Sequence, residues 1–156
     1  MNDILIREAK PADDAEVTTV FETAFEPLRS IYRPTGAALA RQAERAQAGT
    51  RLLAEIDGKI VATVQYDLHA DHIHVIGLAV HPDFQRKGIA GQLLDWICIR
   101  TKNLGQPAVV LDTIRETGNV PLFEKLGFRV VHEEKATWCI SDTYQEVHDV
   151  KLQRAI

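Results

Sequence analysis

A chain of 156 residues with 46% hydrophobic content is long enough to bury one core without help from disulfides or metal. Its formal net charge of -4 includes no long run of Lys and Arg, which argues against a general nucleic-acid or anionic-membrane surface and confines any anion site to a local patch. The two cysteines, Cys98 and Cys139, lack metal-ligand spacing and are too few for a disulfide framework, which suits a reducing compartment.

The first residues, MNDILIREAK, carry neither a charged leader nor an apolar stretch of signal-peptide length. Nowhere do about eighteen apolar residues run together. The expectation is one cytoplasmic domain over residues 1–156, with no membrane or nucleic-acid partner.

Along the chain, Ile4 and Ile6 alternate with Leu5 and Arg7 as a short strand would. Pro11, with Asp13, Asp14 and Glu16 behind it, suits the start of a helix running to about residue 25, its apolar stripe formed by Val17, Val20, Phe21 and Ala24. The segment 27–34 breaks the pattern, and an Ala-rich second helix is predicted over about 35–48. From Arg51, RLLAEI and KIVATVQYDL flank Asp57-Gly58, a hairpin signal, and HIHVIGLAV adds a third antiparallel strand. Residues 75–80 are apolar at both parities, which predicts a central strand covered on both faces.

An amphipathic helix follows through Ile89, Leu93, Leu94, Ile97, Cys98 and Leu104, closed by Gly105 and Pro107. AVVLDTI is then a buried strand, reached through that helix and so expected parallel to its predecessor. VPLFEKL reads as a short helix stopped by Gly127, and FRVVHEEKATWCI and TYQEVHDVKLQ read as two closing strands.

The stretch HPDFQRKGIAGQLL joins the central strand to the amphipathic helix. A helix start leaves its first amides unpaired and carries about half a positive charge, so it favours anions. Gly88 lets a phosphate approach the backbone, small Ala90 and Gly91 keep the way open, and Arg86 and Lys87 add charge suited to a polyanionic cofactor. Neither a P-loop nor a dinucleotide fingerprint fits, because the Gly-Lys-Ser/Thr ending and the G-x-G-x-x-G turn are both absent.

Gln85-Arg86-Lys87-Gly88-Ile89-Ala90 fits the Q/R-x-x-G-x-G/A signature of the GNAT family of N-acetyltransferases, and NVPLFEKLGF resembles that family's second hallmark segment. The order of elements matches too, so the resemblance covers essentially the whole chain. It implies an α/β fold of GNAT type, an acyl-CoA N-acyltransferase with about seven strands in a mixed sheet and roughly four helices on both faces. It implies acetyl-CoA as cofactor, with CoA as product and no metal. The acceptor would be a primary amine, on a small molecule or a peptide, attacking directly in a ternary complex, and a homodimer is compatible with it. Backbone amides of Arg86, Lys87, Gly88, Ile89, Ala90 and Gly91, beside Gln85, would hold the pyrophosphate. Leu78, Ala79 and Val80 would pair with the pantetheine arm, the Leu78 amide would face the thioester oxygen, and Asn119 would lie against the CoA arm.

The chain departs from the family pattern at Phe123, in the cofactor segment, where many relatives carry a tyrosine that protonates the departing thiolate. That departure keeps open a second reading, an acetyl-CoA-binding regulatory protein with weak or no turnover. A third is acetylation of protein N-termini or lysines. For a base, Asp112 and His74 are the candidates, each with an alternative as an ordinary satisfied strand residue. HADHIH clusters His69, Asp71, His72 and His74, yet no further pair completes a metal set. Trp96 and Trp138 read as packing residues, and Arg29, Tyr32 and Arg33 as solvated residues of a segment that in this family often walls the acceptor site.

Overall fold

In the computed structural model, which describes residues 3–46 and 48–156, the alternating Ile4 and Ile6 form β1 (Ile4–Glu8). Positions 1 and 2 of the expected domain span, and 47 of the expected second helix, lie outside the described residues. Pro11–Asp13 make one tight 3-10 turn, and α1 (Asp14–Phe25) starts only after it. The connection then carries β2 (Arg33–Pro34) and α2 (Gly36–Ala46). Next come β3 (Thr50–Ile56) and β4 (Lys59–Leu68), joined through Asp57 and Gly58 at φ 52° and 78°, the left-handed values a tight hairpin needs. β5 (Ile73–Val80), α3 (Ile89–Asn103) and β6 (Ala108–Ile114) follow. α4 (Val120–Lys125), β7 (Arg129–Lys135), β8 (Cys139–Ile140) and β9 (His148–Ala155) complete the chain.

Seven strands form one sheet in the order β1-β3-β4-β5-β6-β9-β7, so the doubly apolar β5 lies at its centre. The β5–β6 pair is parallel, as a crossover through α3 requires, and the other pairs are antiparallel. The two expected closing strands need correction. FRVVHEEKATWCI breaks at Ala136 and bends through Trp138, and the last strand starts only at His148 and inserts between β6 and β7.

Successive residues of β3 show that helices cover both faces. Leu52 packs in the large cluster with Leu93, Leu94 and Ile97 of α3 and Phe123 of α4, while Leu53 packs with Val17 and Val20 of α1. The face under α3 takes Val109 and Leu111 of β6 and Val150 and Leu152 of β9. By alternation, Asp112, Asp149 and Lys151 belong to the other face.

Candidate active site

Pairing between β5 and β6 stops early. Ile73, His74 and Val75 face Val109, Val110 and Leu111, and beyond Val75 the two parallel strands separate. On its other side β5 slips against β4: Gln65 faces Ile76 while Thr63 faces Ala79, which leaves Gly77 and Leu78 in a bulge without register partners. Gly77 adopts φ 65°, and a side chain there would also meet Phe21 Cε2 at 3.2 Å. The bulge reverses the strand's parity. Ile73 and Val75 pack toward α3 before it, Leu78 and Val80 after it, so part of the doubly apolar pattern is a slip in register. Leu78 has no register partner on either side, and Ala79 and Val80 beside it pair only to β4.

At the end of β5 the link to α3 curls through two left-handed residues, Arg86 at φ 62° and Gly88 at φ 82°. The first backbone bond of the helix runs from Gln92 N–H to the Gly88 carbonyl at 3.1 Å. No acceptor among the described residues takes the amides of residues 86–91. Those amides, at the positive end of a 15-residue helix, with exposed Arg86 and Lys87 flanking them, are the donor set a pyrophosphate requires. The residues present thus fit a CoA pyrophosphate. Gly88 is required by its φ and stands before open space, whereas Gly91 has a different reason from the expected one: a side chain there would press on Leu126 Cδ2 at 3.2 Å, so it sets the approach of α3 to α4. Gln85 ties the turn to the strand by donating to the Val80 carbonyl at 3.0 Å. Asn119 is half-buried at the start of α4, and Phe123 is buried, edge-on to Phe128 at 6.3 Å, with no hydroxyl to offer.

On the α1 and α2 side of the split lies a cleft of about 470 Å³. Its floor is the uncovered face of β6, β9 and β7, where register aligns Asp112 with Lys151 and His132, and Ile114 with Asp149 and Glu134. His74 and Asp112, separate candidates in sequence, meet here with Nε2 to Oδ2 at 2.8 Å. An ionised carboxylate can only accept, so the imidazole donates its Nε2–H to Asp112 and Nδ1 is the ring nitrogen outside that bond. Arg41 and Arg45 of α2 form the facing wall.

Two residues need reassignment from the sequence reading. Tyr32 is half-buried and lines the cleft, and burial pushes its phenol up to about 12, with Cys139 and Asp149 adding to the rise. Trp138 leaves the closing strand for a bend, crosses Tyr32 at 5.8 Å and 82°, and donates its indole N–H to Asp149 at 3.0 Å. Arg29 and Arg33 pair with Glu26 and Asp142 at the surface, and Trp96 packs on Tyr66. Asp149 and Glu134 were not singled out by sequence, because polar residues alternating along a strand mark a solvent face and only register turns them into a cleft floor. Burial raises the Asp149 carboxyl above its usual range; the Trp138 bond and nearby Lys151 oppose this, and Asp112 and Glu134 reinforce it. The histidines of HADHIH stack instead of converging. His69 and His72 lie parallel at 4.6 Å, and no three ligand-type side chains among the described residues are arranged to hold a metal ion.

A sequence model of the acetyltransferase (GNAT) family matches residues 16–128. An acetyltransferase of Pectobacterium atrosepticum is 34% identical over 84 residues, which cover 51% of this chain and 57% of that protein, so the match spans little more than half the relative's length. Among solved structures, the ribosomal-protein-S18-alanine N-acetyltransferase of Escherichia coli superposes with a TM-score of 0.78 at 17% identity, covering 99% of this chain and 94% of that one. A GNAT acetyltransferase of Elizabethkingia anophelis with acetyl-CoA bound gives 0.71 at 19% identity, covering 98% of each chain. With its split strands, its unpaired helix start and a family match over most of its length, the chain belongs to the GNAT acetyltransferase family.

Proposed function

We propose that the protein transfers an acetyl group from acetyl-CoA to a primary amine in a ternary complex. The observation that carries this reading is the meeting of the β5–β6 split with the unpaired amides of residues 86–91. Acetyl-CoA supplies an activated acyl carbon with a thiolate leaving group. Residues 86–91 hold the pyrophosphate, and the backbone of Leu78, Ala79 and Val80 lines the arm leading to the thioester. The Leu78 N–H stabilises negative charge growing on the carbonyl oxygen. His74, oriented by Asp112, takes the proton the amine must lose, directly or through water, as the new N–C bond forms and the C–S bond breaks. The sulfur leaves as thiolate without help from position 123, which is tolerable because thiol pKa values lie only about one to two units above neutral.

The test is direct. Acetyl-CoA raises the melting temperature of the protein, Gly88→Glu removes that shift, and thiol release accompanies a gain of one acetyl group by the acceptor. A wild-type protein indifferent to a large excess of acetyl-CoA sinks the proposal. Phe123 favours a second reading, cofactor binding without turnover. Its mark would be the same melting shift with no thiol released in the presence of any amine.

A further inference from the structure

Charges across the cleft are paired unevenly. Asp112 bonds His74, and Glu134 lies 3.4 Å from His132, so each carboxylate has an imidazole. Asp149 has only the neutral indole N–H of Trp138. On the opposite wall Arg41 and Arg45, one helical turn apart on α2, have no carboxylate within ion-pair distance among the described residues. Lys151, on the floor, has none either. One wall thus presents two guanidiniums, and the floor one anion, Asp149, and one cation, Lys151, that form no ion pair, all within a single cleft lined also by Val75, Ile76 and Gly77 of β5.

We propose that the acceptor is a free amino acid, its ammonium docked on Asp149 and its carboxylate held by Arg41 and Arg45. This rests on the acetyltransferase reading and adds the class of acceptor to it. A guanidinium grips a carboxylate through two parallel N–H bonds, and two of them a turn apart form a seat for that group. A diamine would set a second cation against both arginines, a repulsive arrangement that works against such acceptors. A lysine side chain on a protein brings no carboxylate of its own to that wall. Asp149 pairs with Ile114 of β6, three residues past the last β5–β6 pair, so an amine seated there lies one strand over from the acyl split and in the cleft that β5 also lines. The half-buried Tyr32 and Trp138 border the seat with aromatic surface, which suits an ammonium. Burial raises the Asp149 carboxyl even though nearby Lys151 lowers it, which agrees with an anion that forms no ion pair in the free protein.

The experiment gives the intact protein acetyl-CoA and the free amino acids, each beside its decarboxylated amine and its carboxamide, and reads thiol release and acceptor mass. The best amino acid is expected to exceed both analogues in kcat/KM by about tenfold or more, the worth of a charged hydrogen-bonded contact. The double substitution Arg41→Gln with Arg45→Gln, on an exposed helix face, reduces that ratio to about one while keeping the acetyl-CoA melting shift. Asp149→Asn raises KM for the same amino acid by about tenfold or more. It does so without lowering the melting temperature at pH 7, because the amide removes a half-buried charge and still accepts the Trp138 bond. A decarboxylated amine or a lysine peptide that reacts as well as every amino acid overturns the proposal, and so does an unchanged preference in the arginine variant. If acetyl-CoA shifts melting but no amino acid is acetylated, this proposal fails and the cofactor site stands. If neither shift nor thiol release occurs, the acetyltransferase reading itself fails.

Discussion

Gly77 holds φ 65° at the one point where β5 loses register with β4, and Phe21 of α1 lies where a side chain would go. An alanine there pays about 1–2 kcal/mol for the left-handed backbone before Phe21 has to move. For a chain of this size that corresponds to a melting decrease of about 2–8 °C. Because the bulge is what leaves Leu78 without a register partner, and Leu78 is proposed to face the thioester oxygen, Gly77→Ala should also lower kcat far more than it weakens acetyl-CoA binding. A variant that loses stability but keeps full kcat would separate the bulge from catalysis. A glycine inside an apolar strand is a signal for such a bulge, so this feature was available from IHVIGLAV alone.

At the scale of elements, a clasp ties the α1–α2 connection to the β7–β9 connection and closes one end of the cleft. β2 pairs with β8, Thr35 N–H and Oγ1 both donate to the Trp138 carbonyl, and Thr143 Oγ1 donates to the Ser30 carbonyl. The start of β9 is pinned separately. His148 N–H donates to Glu116 Oε1 at 2.6 Å, and its ring Nδ1 lies 3.1 Å from Oε2. The bond to Glu116 raises the His148 imidazole, with burial opposing it; burial alone would raise Glu116, but the His148 bonds outweigh it and hold that carboxyl low. A raised histidine stabilises fully below its unfolded pKa near 6.5 and loses that contribution as pH climbs through the folded value. The lowered glutamate contributes above its unfolded value, about 4.3, and fades as pH falls. The melting difference between wild type and His148→Gln should therefore be largest near pH 5.5 and shrink steadily toward pH 8.5, as calorimetry across that range will show. A difference that grows with pH would contradict the pairing.

Across the whole molecule, the sheet is two blocks, β1-β3-β4-β5 and β6-β9-β7, joined by only three residue pairs before they part. What splints them is α3, whose Leu93, Leu94 and Ile97 are fully buried against both halves. Removing that packing with Ile97→Ala should cost about 2–5 kcal/mol. Acetyl-CoA, which the proposed function seats along the same split, should return about 2.7 kcal/mol at a hundredfold excess over its dissociation constant. Unfolding of the variant with and without acetyl-CoA checks both figures. Acetyl-CoA that rescues nothing would mean that it does not bind the folded protein.

Local chemistry made much of this protein readable as sequence. Periodicity revealed the helices and the antiparallel meander, Asp57-Gly58 its turn, and the parallel β5–β6 pair followed from a crossover helix with a naked, glycine-led start. These depend on neighbours within a few residues, which the chain order itself supplies. The insertion of β9, the union of His74 with Asp112, and the floor that sets Asp149 beside Glu134 depend on residues from about fifteen to about fifty positions apart. Their meeting is set by strand order and register, where one slipped residue would turn every side chain to the other face. The proposed donor seat was therefore written in one contiguous stretch, and the proposed acceptor seat came into being only when three distant strands and α2 closed around the cleft.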